Sequence, residues 1–372
     1  MRNKSIGEQN QTGHFAQRQF GAWFSEGELA STLDRVRGFV MPPVSTDALV
    51  DVANLVRVIL TLNVPGNFVE CGVWRGGTAF LMAELLKQAG VRDRKVWLFD
   101  SFEGMPPVEE VDGAHAIAEA NDPESFLSPH KSRAPLEEVQ HTARELGLTD
   151  YTEFVKGWFN ETLPATRDRV GKIALLHIDC DWYSSVRCCL DNLYEQVAEG
   201  GFVFLDDYYH YDGCAIAAHE FLAERRPPYR IESVEGKGWG GCEYFYGARF
   251  RKGETNWKAE YLLELAAQDI VEVVAPEQVV VVVGEELRVK VVNTHRTVPF
   301  LERDGQYWGQ PPDEETAIRE LQRLRQTGAS FIVFGWPAFW WLDYYRGLHD
   351  YLRSHYRCVL ENERLIVFDL RQ

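Results

Sequence analysis

The sequence predicts an α/β chain: a doubly wound, Rossmann-like parallel sheet followed by a second, smaller α/β domain. Three observations carry this expectation. The apolar runs Ala174–Ile178 and Phe202–Leu205 end in acid, the first at Asp179 and the second at Asp206 and Asp207. Continuous apolar runs of this length fit strands buried on both faces, as in parallel sheets. Strand-like and helix-like segments alternate from residue 68 to 250, and a composition shift at Arg251–Trp257 precedes a further alternation.

In chain order, residues 1–20 are polar and aperiodic and read as a mobile arm, the greater part of an N-terminal segment 1–34. An amphipathic stretch covers Phe24–Val40. Ser45, Thr46 and Asp47 offer N-caps for a helix with Leu49, Val52, Leu55, Val56 and Ile59 at helical spacing. Phe68–Cys71 is a strand, Thr78–Gln88 a helix and Lys95–Phe99 a strand ending at Asp100. Residues 103–140 lack a clean period. They are long for a plain loop, so a lid is expected, with a solvated insertion as the alternative. A helix near Leu136–Leu146 and a strand at Thr152–Lys156 lead to the two acid-ending strands. Between those runs a helix, Ser185–Glu199, which Gly200 and Gly201 are expected to stop. A helix at Gly213–Glu224 and strands at Ile231–Val234 and Glu243–Phe250 close a domain over 35–252.

Beyond it, 258–372 forms the second unit. Gln278–Val283, Arg288–Val292 and Phe331–Phe334 read as strands, Asp313–Gln326 as a helix and Phe339–Tyr356 as one aromatic-rich helix. Cys358–Leu360 and Arg364–Leu370 read as a closing strand pair.

The 372 residues carry a net charge of −17, with 45% hydrophobic and 13% aromatic content. Such an acidic chain is a poor candidate for nucleic acid or an anionic membrane. Seven cysteines without a Cys-x-x-Cys pair fit reduced, packed thiols. No segment has the length of a membrane span and the start lacks a signal-peptide core, so a cytoplasmic, soluble protein is expected.

In open α/β sheets, ligands bind at the carboxyl ends of the strands. Asp179, Asp206 and Asp207 from two neighbouring ends repel one another unless a cation lies between them. The three therefore read as half of an active site holding a hard divalent metal. With no Cys or His pair nearby, oxygen ligands favour Mg²⁺ over Zn²⁺.

The turn Glu70-Cys71-Gly72-Val73-Trp74-Arg75-Gly76-Gly77 joins a strand to a helix. Its G-x-x-x-G-G spacing lacks both the dinucleotide fingerprint and the ending of a phosphate loop, which disfavours nicotinamide and nucleoside-triphosphate chemistry. Asp100, at the next strand end, is placed to accept from ribose hydroxyls. An adenosine ligand without a pyrophosphate fits both features, and S-adenosylmethionine is the candidate, with Glu70 toward its ammonium group. The alternative is Asp100 as a helix N-cap and Glu70 as a surface charge.

The runs VPGNFVECGVWRGG, DSFEGMP (100–106), GWFNETLP (157–164), HIDCDWYSS and FLDDYY together resemble the macrocin O-methyltransferase family over roughly 35–250. The resemblance implies a class I, metal-dependent O-methyltransferase using S-adenosylmethionine on sugar hydroxyls of natural products, antibiotics among them. It implies Asp179, Asp206 and Asp207 as magnesium ligands. It also implies that Glu70, Gly72, Val73, Trp74, Gly76, Gly77, Asp100, Ser101, Gly157, Trp158 and Asp179 line the cofactor. A divalent ion would lower the pKa of a sugar hydroxyl, which is otherwise hardly ionised at neutral pH. Some catechol-type relatives carry a lysine three residues after the first metal aspartate; here Trp182 stands there. Asp179 and His210 are the candidates for taking the proton, with Asp181 and Tyr183 supporting the site from behind.

The substrate expected is a natural-product glycoside or a nascent glycan, and the protein is expected to be a homo-oligomer. The rival readings are a catechol or phenol O-methyltransferase and an inactive scaffold in glycan assembly. The tail resembles a small module appended to some bacterial glycosyltransferases. Its aromatic cluster, Trp336, Phe339, Trp340, Trp341, Tyr344 and Tyr345, fits core packing, sugar stacking or a subunit interface.

Overall fold

The computed structural model describes residues 23–40, 46–125, 127–128, 131–227, 229–237, 243–253 and 256–371. The arm at 1–20 and the cap at Ser45 lie outside them. The described chain divides into two compact units, 23–255 and 256–372.

The first unit is built on a seven-stranded sheet of order β3-β2-β1-β4-β5-β7-β6. Its members are β1 (Asn67–Cys71), β2 (Val96–Asp100), β3 (Thr152–Lys156), β4 (Ile173–Ile178), β5 (Val197–Leu205), β6 (Glu232–Lys237) and β7 (Glu243–Arg251). β1 to β5 are mutually parallel, whereas β7 runs antiparallel to β5, and β6 to β7. The all-buried runs of β4 and β5 explain their central place: one face packs Val69, Leu176, Ile178, Val203 and Leu205 against Val186, Leu190, Ala217 and Phe221 of two covering helices. Each Val, Leu, Ile or Phe among them removed from water contributes roughly 1.5–3 kcal/mol.

The helices α1 (Glu26–Val36), α2 (Thr46–Thr61), α3 (Gly77–Ala89), α4 (Gly113–Asn121), α5 (Leu136–Glu145), α6 (Phe159–Val170), α7 (Tyr183–Leu193) and α8 (Asp212–Arg225) surround or join the strands. Ser25 opens α1 with a capping box to Glu28. Two expectations fail here. The helix before β5 ends at Leu193, and Gly200 and Gly201 lie inside β5 instead of stopping a helix. A Cβ on Gly201 would stand 2.9 Å from the Ala198 carbonyl oxygen of its own strand and 3.0 Å from that of Ile173 in β4, so both crowd the position. Helices α4 and α6 were not foreseen, the first because Gly-Ala-His-Ala carries little apolar periodicity, the second because Pro164 sits within it.

The second unit holds a five-stranded sheet of order β13-β14-β12-β8-β9. It comprises β8 (Val279–Val283), β9 (Arg296–Pro299), β12 (Ala329–Gly335), β13 (Arg357–Glu361) and β14 (Leu365–Asp369). A separate hairpin pairs β10 (Glu302–Arg303) with β11 (Gln306–Tyr307). The segment Arg288–Val292, expected to be a strand, belongs instead to a helix, Glu285–Val291. Its β-branched residues suggested a strand, but β8 and β9 are parallel neighbours, and such a pair needs a crossover between them. The single helix expected over Phe339–Tyr356 is two, Trp340–Tyr344 and Arg346–His355, because Tyr345 at φ −97°, ψ 67° breaks the helical path.

Candidate active site

The acids expected to face one another do so. β4 and β5 end side by side, and one carboxylate oxygen from each of Asp179, Asp206 and Asp207 lies within 4.8 Å of the others. Burial pushes the Asp206 carboxyl up to about 8, with Asp207 adding to it. Asp207 rises to about 6 for the same reason, although the Asp181 amide and the charge of His210 pull the other way. Asp179 is raised well above the carboxylate range by burial, then by Asp206, Asp207, Asp181 and Glu70. Acids held so far up are acids short of positive charge. An all-oxygen donor set of this kind fits a hard divalent cation.

Asp181 joins them. Its backbone takes φ +58°, which Asp tolerates better than most residues, and its amide donates to Asp207 Oδ2 at 3.0 Å. Its carboxylate accepts no hydrogen bond among the described residues, and burial followed by the charges of Asp207 and Asp206 raises its pKa. His210 sits on the exposed turn after β5, with its ring 6.1 Å from that of Tyr211.

The glycine turn meets the acids through one strand contact. The Asp179 amide donates to the Cys71 carbonyl at 2.8 Å, and a Cβ on Gly72 (φ +89°) would lie 1.6 Å from the Asp179 carbonyl oxygen. That glycine is required by the neighbouring strand end. Gly76 and Gly77 are likewise hemmed in, the first by the Phe80 ring and the second by Val40. The amides of Val73 and Trp74 both donate to Asp100 Oδ2, at 2.7 and 3.1 Å, and Phe102 donates to its Oδ1 at 2.6 Å. Asp100 thus fastens the glycine turn and is not a helix cap. Ser101 Oγ donates to the Gly104 carbonyl and accepts from the Glu103 amide. The Gly157 amide donates to the Asp100 carbonyl at 2.9 Å, which brings Gly157 and the exposed Trp158 to the same sheet edge.

Glu70 is buried and not a surface charge. In register across β1, β4 and β5 lie Glu70, His177 and Phe204. His177 stacks on Phe204 at 5.0 Å, with Nδ1 3.5 Å from Glu70 Oε1 and Nε2 3.7 Å from Asp206 Oδ1. Among the described residues neither ring nitrogen has a hydrogen-bond partner, nor does Glu70 Oε2. Burial lowers the His177 pKa to about 3, so the ring is neutral, whereas burial and Asp206 raise Glu70. No motif assigns His177 a role; its one signal in the sequence is an imidazole in an otherwise aliphatic strand.

The segment after Asp100 is anchored to the strand ends at a few points. Trp182, fully buried, donates from Nε1 to the Pro106 carbonyl at 3.2 Å, and the Tyr183 amide donates to Asp112 Oδ1 at 2.7 Å. Ala116, Leu127, Trp182 and Tyr211 form a small apolar cluster, and Tyr211 donates to Glu119. Trp182 therefore spends the position after the acids on holding this segment.

The chain is similar to known proteins. A family model described as macrocin-O-methyltransferase (TylF) matches residues 22–239. Over 186 residues the chain is 38% identical to the 8-demethyl-8-(2,3-dimethoxy-alpha-L-rhamnosyl)-tetracenomycin-C 4'-O-methyltransferase of Streptomyces olivaceus, covering 49% of this chain and 68% of that protein. Over 179 residues it is 39% identical to the demethyldecarbamoylnovobiocin O-methyltransferase of Streptomyces niveus, covering 47% of this chain and 65% of the relative. The solved O-methyltransferase NovP aligns at 32% identity and a TM-score of 0.49, over 57% of this chain and 81% of that one.

Proposed function

Because the chain belongs to the macrocin-O-methyltransferase (TylF) family, we propose that it methylates a sugar hydroxyl of a natural-product glycoside with Mg²⁺ held by Asp179, Asp206 and Asp207. It is an O-methyltransferase, and the methyl donor is S-adenosylmethionine. The observation that carries the metal is the gathering of three carboxylates, two of them pushed up to about 8 and about 6, at one point of the sheet edge. A magnesium ion bound there supplies the positive charge that the aspartates lack and favours the ionised form of a neighbouring alcohol.

The chain's own residues do the rest. Glu70, the Gly72–Gly77 turn with Val73 and Trp74, Asp100, Ser101, Gly157 and Trp158 are read as the donor subsite. Asp100 holds the turn through its amides on Oδ2, and Oδ1, which accepts from Phe102, retains lone-pair capacity for a ribose hydroxyl. The alcohol proton passes to a carboxylate of the cluster as the methyl moves from sulfur to oxygen. Asp179 is one acceptor, and Asp181, whose carboxylate takes no hydrogen bond among the described residues, is a second. His210, exposed on its turn with its charge in reach of Asp207, is the third candidate. Trp182, buried under the 103–121 segment, offers no base where a lysine would stand.

A cytoplasmic location agrees with the free thiols among the described cysteines. Among the described residues no helix is long and apolar enough to cross a membrane. The deciding experiment incubates the protein with labelled S-adenosylmethionine, Mg²⁺ and a panel of deoxysugar glycosides, nucleotide sugars and catechols, read by mass spectrometry. Label on a sugar, lost with EDTA, is the expected result. Label on catechol alone, or activity indifferent to EDTA, overturns the substrate or the metal assignment respectively.

A further inference from the structure

The second unit has its own open sheet edge. β8, β9 and β12 are mutually parallel, so their carboxyl ends, Val283, Pro299 and Gly335, open onto one side. In open α/β sheets that side is where ligands bind. The three following segments converge there. A Cβ on Gly284 would touch Ala338, Phe300 packs its ring 5.9 Å from Trp341, and the Tyr345 hydroxyl donates to the Pro311 carbonyl at 2.7 Å. The hairpin at Asp304–Gly305, both at positive φ, presents Tyr307 on its return strand.

Large aromatic rings crowd this edge and face solvent: Tyr307, Trp308, Trp340 and Tyr344 are 42%, 61%, 43% and 70% exposed. They are not loose. Tyr344 lies 4.8 Å from the buried Tyr345 at 81°, and Trp340 lies 5.7 Å from the buried Trp341. The Arg303 guanidinium covers Trp308 at 4.7 Å. Rings fixed in this way lose little freedom on binding. Burial, then the charges of Glu285 and Glu286, raise the Tyr307 hydroxyl, which puts both carboxylates within electrostatic reach of it. Glu285 is committed to Arg288, whereas Glu286 is exposed and takes no hydrogen bond among the described residues.

We propose that this edge binds a neutral carbohydrate, its pyranose rings stacking on Tyr307, Trp308, Trp340 and Tyr344 and a hydroxyl donating to Glu286. The C–H face of a pyranose is apolar and slightly positive and lies well on an aromatic face. Its rim of hydroxyls needs acceptors, which Glu286 and the tyrosine hydroxyls supply. The same carboxylate repels phosphates and acidic sugars. The exposed rings come from separate segments, and Trp340 and Tyr344 stand at 69° to each other, a stepped platform instead of a closed box around a single cation.

The test titrates the full chain, without methyl donor, with maltotriose, mannotriose and methyl rhamnoside, followed by tryptophan fluorescence and saturation-transfer NMR. Saturable binding of at least one sugar is expected. It should weaken roughly tenfold in Trp340→Ala and in Tyr344→Ala, the scale of one lost stacking contact. Glu286→Gln should weaken it less, and all three variants should keep the wild-type melting temperature and methyl-transfer rate. No saturable binding of any sugar overturns the proposal, as does binding indifferent to both aromatic substitutions. Tighter binding of tetramethylammonium than of any sugar would make the edge a cation site. A dimer that Tyr344→Ala dissolves would make it a subunit surface. None of these readouts depends on which hydroxyl the first unit methylates.

Discussion

Replacing Asp206 with asparagine separates the cost of the acid cluster from its use. In the metal-free protein the Asp206 carboxyl is held at about 8 against an ordinary 3.8. Each pKa unit is about 1.36 kcal/mol, so at pH 7 the folded state forgoes roughly 4 kcal/mol relative to an unperturbed aspartate. The sign follows from proton counts. Between pH 3.8 and about 8 the folded chain keeps a proton that the unfolded chain releases, so stability falls as pH rises through that window. Asparagine keeps the shape and removes the charge. An imperfectly paired amide returns about 1–3 kcal/mol of the gain. A net of roughly 1–3 kcal/mol, at about 2–4 °C per kcal/mol for a domain of this size, raises the melting temperature by roughly 5 °C. Saturating Mg²⁺ at about 100 times its Kd should stabilise the wild type by about 2.7 kcal/mol. The variant should lose that increment, turn over no substrate and retain its affinity for S-adenosylmethionine. Scanning fluorimetry of both proteins in EDTA and in MgCl₂ reads all the stability terms. A variant that melts lower than wild type in EDTA, or that keeps the full magnesium shift, refutes the reasoning.

Three further outcomes are expected. Gly72→Ala places a Cβ 1.6 Å from the Asp179 carbonyl at φ +89°; it should lose several kcal/mol in a denaturant titration, and a loss under about 1 kcal/mol would mean that β1 and β4 part easily. Trp182→Phe removes the Nε1 bond to the Pro106 carbonyl; it should cost about 1 kcal/mol and speed hydrogen exchange across residues 106–121, while unchanged exchange would show that Trp182 does not hold that segment. His177 has a pKa lowered to about 3 from 6.5, so its neutrality costs stability as pH falls below 6.5, by roughly 2 kcal/mol at pH 5. His177→Leu should flatten that acid limb, and an acid limb identical to wild type would mean that the ring is charged in the fold.

The strands were legible because they are buried on both faces. LLHI and FVFL had few alternatives, and acids at their ends declared which edge mattered. Gly72 was legible as a glycine that something needs, but not that the need is Asp179, since the contact joins residues far apart in sequence. Three features depended on tertiary context that local pattern does not carry. Val-rich Arg288–Val292 became helix because the parallel strands on either side left no other path. Gly200 and Gly201 read as a stop and proved to be part of β5. His177 stands in an aliphatic run, and only the register of three strands puts it between Glu70 and Asp206.

The contact between Gly72 and Asp179 has a consequence for how such an enzyme changes substrate. The turn assigned to the donor and the first acid assigned to the acceptor are separated by one interstrand hydrogen bond and a missing methyl group. Their spacing is a fixed gauge length set by backbone pitch, indifferent to the side chains that line the pocket. Sequence change in the 103–140 segment, which Trp182 and Asp112 anchor, leaves that gauge unmoved. Libraries confined to that segment should yield altered regiochemistry with intact turnover, whereas libraries in the turn should yield mainly dead protein.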